Sequence, residues 1–306
     1  MEKVLVIGSY NVGLTVVGPR IPKPGETIMG TDFDMGPGGK GSNQAITVAR
    51  LGGSVYFLAK IGGDMFGKDA IALFEREGIS TKYVTVDETT HTGAGIIFVD
   101  ENGQNAIGVA PGANYRLSVD DLRKCSGLFE QCSILLTQLE IPLSVVYEAI
   151  SMADSVGATV ILNPAPAQKI ESRLLSTIDI LTPNETEAET LTGIAVSDKE
   201  SAIKAGKSLL SQGVNSVIVT LGDDGAVLVS GEREEFFSSY EVDALDTTGA
   251  GDAFNGGLAY GLAIGKSLEE SIDFASKVAA LSVTKVGVVP GLPVMQDVEK
   301  HFGGAW

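Results

Sequence analysis

The chain has 306 residues, 44% of them hydrophobic and 20% charged, which is typical of a folded globular protein. Its formal net charge is −17 and its isoelectric point is about 4.5, so its average surface repels the phosphates of nucleic acids and of anionic membranes. We therefore expect neither nucleic acid nor a membrane as a partner. No apolar run reaches the roughly 20 residues that a membrane-spanning helix needs.

Cysteine and histidine are scarce, which limits the kinds of site the chain can build. Cys125 and Cys132 form neither a disulfide framework nor a metal-binding motif, so we expect both to be reduced and the protein to be cytoplasmic. Residues 1–9 lack a basic region and a cleavage site, and predict a first β-strand rather than a signal peptide. With only His91 and His301, a histidine metal site or a Ser-His-Asp triad is not expected.

Short apolar strands alternate with helical segments along most of the chain. The predicted strands cover residues 4–8, 55–62, 133–140, 158–165, 177–184 and 215–222, and the predicted helices include 42–51, 66–78 and most of 250–305. This alternation predicts one α/β domain over residues 1–306, with a mostly parallel sheet covered by helices on both faces.

Two regions, residues 12–35 and 92–110, are rich in β-branched residues and glycine turns but contain no helical segment. They predict a small antiparallel sheet inserted into the α/β domain. The pattern fits either a decoration at the edge of the domain or a lid over a ligand.

The segment DMGPGGKGSN, residues 34–43, resembles a phosphate-binding loop at first sight. That loop requires a glycine where this chain has Asp34, and a serine or threonine where it has Gly41. The dinucleotide fingerprint also fails, because Gln44 stands at its last glycine. The segment is therefore predicted to be a glycine-rich turn that leads into a helix.

The segment DTTGAGDAFNGG, residues 246–257, ends a β-rich stretch and opens an apolar helix. The amides of residues 249–251 and the helix N-terminus favour an anion at this point. Asp252 lies in the first helical turn, where a carboxylate can take a proton from an attacking hydroxyl. Aspartate is also common as a helix cap, so both interpretations stay open for this residue on its own.

The segment TPNETEAETLTG, residues 182–193, places Asn184 and Glu187 one helical turn apart at the end of a strand. Such a pair can bind hydrated Mg²⁺ and, through water, nucleotide phosphates. It can equally be a capping box that starts the helix. The two roles are compatible.

Two further strand ends carry candidate residues. Thr220, Gly222 and Gly225 predict a turn that a nucleotide can approach, or an ordinary β-turn. Glu140 closes a buried strand, where its carboxylate can accept hydrogen bonds from a polyol or face solvent. In open α/β folds, ligands bind at these carboxyl ends of the strands.

In order, the segments GSYN, GGKGSNQA, QLE, NPAPA, TPNETEAE, TLG and DTTGAGDAFNGG resemble the ribokinase family, the PfkB-type carbohydrate kinases, over residues 4–293. NPAPA and TPNETEAE are most similar to the ribokinase branch of that family. The resemblance implies a three-layer α/β/α fold with a small inserted β-sheet lid. It also implies ATP-dependent transfer of the γ-phosphoryl group to a primary hydroxyl of a sugar, ribose or a related pentose or hexose, with Mg²⁺ and K⁺.

The resemblance implies roles for matching residues in four groups. The catalytic group is the base Asp252 with an anion hole at Gly249, Ala250 and Gly251. The sugar-binding group is Asn11, Gly39, Lys40, Asn43 and Glu140. The nucleotide-binding group is Asn184, Thr220, Gly222 and Gly225. The metal-binding group is Glu187, for Mg²⁺ through water, and Asp246, Thr248, Ser282, Lys285 and Gly287, which hold the monovalent cation mostly by their backbone.

Two positions depart from the family pattern. Gly13 stands where the family has an aspartate that binds two ring hydroxyls, although the neighbouring Asn11 is kept. Hydrogen bonds to a charged group are each worth roughly 1.5–3 kcal/mol, so the preferred sugar is expected to differ from ribose. Gly291 stands where some members offer a hydroxyl to the cation, which weakens the expectation of cation binding.

The resemblance also implies a homodimer joined through the lids, with a sugar and ATP as small-molecule ligands. Two alternatives stay open at this level. One is a nucleoside kinase on the same scaffold, against which NPAPA and GGKGSNQA argue, and the other is a sugar-binding regulator without activity, against which the intact GAGD argues.

Overall fold

The computed structural model describes residues 2–231 and 233–304, within which thirteen strands form two sheets. The strands are β1 (Lys3–Ile7), β2 (Asn11–Val17), β3 (Asp32–Gly38), β4 (Ser54–Gly62), β5 (Val84–Asp87), β6 (Gly93–Val99), β7 (Asn105–Ala110), β8 (Ile134–Thr137), β9 (Thr159–Leu162), β10 (Ile180–Leu181), β11 (Ser216–Thr220), β12 (Ala226–Ser230) and β13 (Arg233–Phe237).

Eleven α-helices connect or cover these strands in the described part of the chain. They are α1 (Lys40–Arg50), α2 (Met65–Arg76), α3 (Val119–Lys124), α4 (Leu143–Ser155), α5 (Ser172–Leu175), α6 (Glu185–Thr192), α7 (Lys199–Leu210), α8 (Ala250–Ala263), α9 (Leu268–Ser282), α10 (Val288–Gly291) and α11 (Met295–Phe302). None of the described helices is long and apolar enough to cross a bilayer.

The large sheet has the order β13-β12-β11-β10-β9-β8-β1-β4-β5. All its pairs are parallel except β11–β12 and β12–β13. Alternate residues of β1 enter two hydrophobic cores, because neighbouring side chains on a strand point to opposite faces. Val4 and Val6 belong to the core on the side of helices α1, α8 and α9, whereas Leu5 and Ile7 belong to the core on the side of α4 and α7. The predicted three-layer α/β/α fold is confirmed.

The small sheet has the order β3-β2-β6-β7. Its outer pairs are antiparallel, as predicted, and its central pair β2–β6 is parallel. The parallel pair follows from connectivity, since β2 follows β1 and β6 follows β5, and β1 and β5 run in the same direction in the large sheet. Strand β3 begins only at Asp32, so the predicted β-structure of residues 26–31 is wrong and residues 18–31 form a loop.

Several predicted strands are too long at their carboxyl ends. Strand β8 ends at Thr137, so Glu140 lies three residues beyond it rather than closing it, and β10 contains only Ile180 and Leu181. The segments that follow these strands carry polar side chains, Gln138 and Glu140 after β8 and Thr182 and Asn184 after β10. The overlong predictions therefore cover segments that turn toward the site.

Candidate active site

A cavity of about 160 Å³ opens at the carboxyl ends of the central strands, between α1, α6 and α8. Its lining brings together side chains that are far apart in sequence, and consists of Lys40, Asn163, Ala165, Thr182, Asn184, Glu187, Thr220, Gly249, Gly251, Asp252 and Asn255. Candidate residues from the catalytic, sugar, nucleotide and metal groups thus line a single space.

Asp252 lies in the first turn of α8 and is only 6% exposed. It does not cap the helix, because the N-cap position belongs to Gly249, whose φ of 87° is left-handed. Asn43 Nδ2 donates to one carboxylate oxygen of Asp252 at 2.8 Å, and Gln44 Nε2 donates to the other at 3.0 Å. The carboxylate is therefore fixed in orientation at the edge of the cavity.

Burial raises the pKa of Asp252, and the bonds from Asn43 and Gln44 and the charge of Lys40 oppose that rise only in part. Burial alone would lower the pKa of Lys40, but the carboxylates of Asp252, Glu140 and Glu187 outweigh it and the pKa is raised. Lys40 thus stays a cation beside a carboxylate that is more basic than an ordinary aspartate. A more basic carboxylate is a better acceptor for a hydroxyl proton.

The backbone amides at the start of α8 have few partners. Ala250 N donates to Thr247 O at the long distance of 3.3 Å. Within the described residues, the amides of Gly249 and Gly251 donate to no backbone carbonyl or side chain. Their grouping at a helix N-terminus suits an anion, and the anion hole at 249–251 stays a prediction.

Gln44 is a site residue that the sequence did not indicate. Gln138 Nε2 donates to Gln44 Oε1 at 2.6 Å, and Gln44 Nε2 in turn donates to Asp252 and, at 3.2 Å, to Asn163 Oδ1. All these side chains are buried. In the sequence, Gln44 was noted only because it breaks the dinucleotide fingerprint. Its contact with Asp252 joins α1 to α8, and the sequence gives no sign of that contact.

Glu140 points into the site and not to solvent. Its Oε2 accepts from Ser9 Oγ, from Asn11 Nδ2 at 3.4 Å and from Lys40 N at 3.0 Å. Since every one of these bonds goes to Oε2, Oε1 is left for a ligand. A Cβ at Gly39, whose φ is 93°, would lie 2.7 Å from Asn11 N, so glycine there lets Asn11 and Lys40 approach each other.

Asn43 supplies an acceptor without a partner. Its Oδ1 is buried and makes no hydrogen bond to any residue in 2–231 or 233–304. A buried polar atom without a partner is costly, and a sugar hydroxyl is a donor that would satisfy it. Asn43 thus contacts Asp252, and Glu140 joins Asn11 to Lys40; their binding of a sugar stays a prediction.

Asn184 and Glu187 do form a capping box at the start of α6. Asn184 Oδ1 accepts from Glu187 N at 2.8 Å, and Glu187 Oε2 accepts from Asn184 N at 2.9 Å. Glu187 is 6% exposed, and burial raises its pKa. Its Oε1 and the Asn184 amide group are not used by the cap, so capping does not prevent binding of a hydrated Mg²⁺.

The predicted nucleotide turn follows β11. Asn184 and Thr220 form a parallel β-bridge, which joins this turn to the start of α6. Gly222 and Gly225 have φ angles of 55° and 113°, values that side chains rarely adopt. A Cβ at Gly225 would also collide with the carbonyl of Phe237. Both glycines are thus required by the turn itself, and their predicted contact with nucleotide stays a prediction.

Asp246 connects the segment before α8 to the loop before α10. Its two carboxylate oxygens accept from Thr248 N and from Gly287 N, each at 2.9 Å. Burial alone would raise the pKa of Asp246, but these bonds outweigh it and the pKa is lowered. The carboxylate is thus kept charged beside the predicted monovalent-cation position.

Two of the other predicted cation residues, Ser282 and Lys285, have partners for their side chains. Ser282 Oγ donates back to Ala279 O, and the Lys285 ammonium group pairs with Asp297 at 3.9 Å. A Cβ at Gly291 would collide with the carbonyl of Ser282 and lie 3.7 Å from that of Lys285. Gly291 thus leaves open a position on which two carbonyls converge, where a hydroxyl side chain would not fit without a shift.

Comparison with known proteins gives three findings. The model of the pfkB family carbohydrate kinases matches residues 1–295. A ribokinase of Haemophilus influenzae is 43% identical over 298 residues, 97% of each chain, and a deoxyribokinase of Salmonella typhi is 37% identical over 300 residues, 98% of each chain. The structure of Arabidopsis thaliana ribokinase complexed with ribose and ATP is 35% identical, with a TM-score of 0.92 and 99% of each chain covered. These findings confirm the resemblance drawn from the motifs.

Proposed function

Since the chain belongs to the pfkB family of carbohydrate kinases, and so to the phosphotransferases with an alcohol acceptor, we propose that it transfers the γ-phosphoryl group of ATP to a primary hydroxyl of a sugar. The sugar is ribose or a related pentose or hexose. The observation that carries this proposal is the buried carboxylate of Asp252, which Asn43 and Gln44 hold at the edge of the cavity.

In this reaction Asp252 accepts the proton of the sugar hydroxyl while the hydroxyl oxygen forms a bond to the γ-phosphorus. The bond from that phosphorus to the bridging oxygen breaks, and ADP leaves. The amides of residues 249–251 and the Lys40 cation stabilise the negative charge on the transferred group, because they are fixed in place before the charge develops.

The protein groups that bind the sugar are inferred from the oxygen atoms that lack a hydrogen-bond donor in the structure. Asn43 Oδ1 and Glu140 Oε1 accept from ring hydroxyls, and the Asn11 amide borders the same space. Thr220, Gly222 and Gly225 bind the nucleotide, next to Asn184.

We assign Mg²⁺ to Glu187 acting through water, on the support of the carboxylate oxygen that its capping box does not use, and K⁺ to Asp246 with the carbonyls near Gly291. Bound Mg²⁺ would neutralise charge on the β- and γ-phosphates. Thr248, Ser282, Lys285 and Gly287 contribute to the K⁺ site through their backbone.

We further assign the small sheet as a lid over the sugar and as the contact of a homodimer. The support is exposed apolar surface on both faces of this sheet, since Phe33, Met35 and Ile96 project from one face and Ile107 and Val109 from the other, with exposed fractions from 41% to 60%. Apolar patches of this kind mark interfaces.

A cytoplasmic location stays a prediction that rests on the two free cysteines. The absence of nucleic-acid and membrane partners is an expectation from the net charge of −17.

The test is ADP release from ATP by the purified protein, with and without each member of a panel of pentoses and hexoses. We expect release that depends on one or a few sugars. Release that no sugar stimulates would contradict the proposal, and stimulation by nucleosides alone would favour a nucleoside kinase. The panel is needed because relatives named ribokinase and deoxyribokinase have similar identity to this chain.

A further inference from the structure

Three glycines lie side by side across the small sheet. Gly13 of β2 pairs with Gly36 of β3 on one side and with Gly95 of β6 on the other. Residues paired across neighbouring strands project from the same face of a sheet. The three positions, which we call the glycine row, therefore form a strip of bare backbone on that face.

Nothing in the packing of the described chain requires glycine at these positions. None of the three has a positive φ angle. A Cβ would come no closer than 3.9 Å to another atom at Gly36 and 3.6 Å at Gly13, and would meet nothing within 4 Å at Gly95. Glycine weakens a strand, and its occurrence in one often marks close approach of a ligand. The glycine row therefore leaves room for a ligand to approach the backbone of this face.

The glycine row continues the sugar side of the candidate active site. Asn11 lies two residues before Gly13 on β2, so its side chain leaves the same face. That side chain contacts Glu140, which also accepts from Lys40 N. Two residues of strand span roughly 7 Å. A sugar bound at Glu140 and Lys40 therefore reaches the glycine row with the end remote from Asp252.

The side chains around the glycine row offer one unused acceptor and an apolar border. The Asp34 carboxylate lies 3.9 Å from the Cβ position of Gly36, and within the described residues its side chain forms no hydrogen bond or ion pair. Ile97 Cδ1 lies 3.7 Å from the Cβ position of Gly13, and Val109 pairs with Gly95. This surface suits a carbon that carries a hydroxyl.

We propose that the acceptor is a six-carbon sugar, an aldohexose or ketohexose, rather than ribose. Its additional carbon lies against Gly36, Gly13 and Gly95, and its additional hydroxyl donates to Asp34. This inference rests on the proposed sugar-kinase activity and names the class of sugar for the same site.

The experiment compares kcat/KM for ribose, 2-deoxyribose and the D-aldohexoses and D-ketohexoses, with saturating ATP, in the wild-type protein and in Gly13→Ala, Gly36→Ala and Gly95→Ala. We expect a hexose to be the best substrate. Each added methyl group should lower kcat/KM for that hexose roughly 10- to 200-fold, as for one methylene in a pocket, and leave the value for ribose within about twofold. Asp34→Asn should likewise impair only the hexose.

Two matched controls separate this role from a structural one. Gly108→Ala adds a methyl group to the same sheet, also with nothing within 4 Å of its Cβ, but Gly108 pairs with Ile96 and so projects from the opposite face. Asp32→Asn changes the carboxylate at the start of β3, two residues before Asp34 and farther from Gly36. Neither should alter kcat/KM for any sugar.

Three results would overturn the inference while leaving the sugar-kinase proposal intact. These are ribose as the best substrate, glycine-row variants without effect, and an equal loss for ribose and hexose. Absence of sugar-dependent ADP release with every sugar would overturn the proposed function itself.

Discussion

At the scale of single residues, Asp252 depends on amide donors from α1. Its carboxylate is buried, which raises its pKa, and Gln44 and Asn43 donate to the charged form and hold that rise in check. Asn43 is also in the predicted sugar-binding group, whereas within the described residues the Gln44 side chain hydrogen-bonds Asp252, Asn163 and Gln138. Gln44 is therefore a residue through which the basicity of Asp252 can be changed without substituting a member of the predicted sugar-binding group.

We predict that Gln44→Leu moves the acidic limb of the pH profile of kcat/KM upward. The base works when deprotonated, so activity is lost as the pH falls through the raised pKa of Asp252. Removing a donor to the charged form raises that pKa further, because hydrogen bonds to a carboxylate favour its ionised form. Gln168→Leu, which removes a donor to Leu139 O, is the control. An unchanged limb in Gln44→Leu would mean that Gln44 only fills space.

A second prediction concerns Gly13. The position has room for a Cβ, since its nearest neighbours would lie 3.6 and 3.7 Å away, so Gly13→Asp can be built without strain. A carboxylate there should bind ring hydroxyls of ribose and increase kcat/KM for ribose, by a factor that corresponds to about 1–3 kcal/mol of additional transition-state stabilisation. It should also impair the native sugar, because a buried carboxylate facing no donor is costly. If wild-type protein already uses ribose efficiently and the substitution brings no gain, then Asn11 or water fulfils this role.

At the scale of elements, the start of α8 organises the centre of the site. The left-handed Gly249 turns the chain so that Gly249, Gly251 and Asp252 border one cavity. Asn255 Nδ2 bonds Gly251 O at 2.8 Å, and Thr182 Oγ1 bonds Asn255 Oδ1 at 2.7 Å, which ties the helix to the end of β10.

We predict that Gly249→Ala lowers both stability and kcat. A side chain at a φ of 87° is strained, and its Cβ would lie 2.5 Å from Val288 Cγ1, so a loss of about 1–3 kcal/mol in the free energy of unfolding is expected. Gly265→Ala is the control, since its φ is 83° but nothing lies within 4 Å of its Cβ. Denaturant unfolding should show the larger loss for Gly249→Ala, and only that variant should lose kcat. Equal stability losses in Gly249→Ala and Gly265→Ala would show that the clash with Val288 does not contribute to the loss.

The elements also show what a sequence can and cannot reveal about this site. The βα alternation and the motifs located Asp252 at the start of a helix and Asn184 and Glu187 after a strand, because such positions follow from local patterns. Gln44, Gln138 and Asn163 were missed as site residues. Their bonds join three elements across long sequence separations, and nothing local distinguishes a glutamine that orients a base from one that faces solvent. The glycine row was invisible for the same reason, since register between β3, β2 and β6 is set in three dimensions.

At the scale of the whole molecule, the small sheet exposes apolar side chains to solvent. The candidate active site lies where this sheet meets the large sheet. We predict a homodimer joined through this sheet, because Phe33 and Met35 on β3 are 60% and 47% exposed. Light scattering at micromolar concentration should give twice the chain mass of 31.8 kDa, and Phe33→Ser with Met35→Ser should shift the protein toward the monomer. A wild-type monomer at that concentration would remove the dimer proposal.

The proton-accepting role of Asp252 in sugar phosphorylation is tested most directly by Asp252→Asn. With the best sugar of the panel, kcat for sugar-dependent ADP release should fall by a factor of roughly 100 to 10,000, as expected when a general base is removed. ATP binding measured by calorimetry should stay within about threefold of wild type, roughly 0.7 kcal/mol, because the base acts on the acceptor hydroxyl. Retention of more than about a tenth of kcat, a loss under about 1.4 kcal/mol in transition-state stabilisation, would contradict this role.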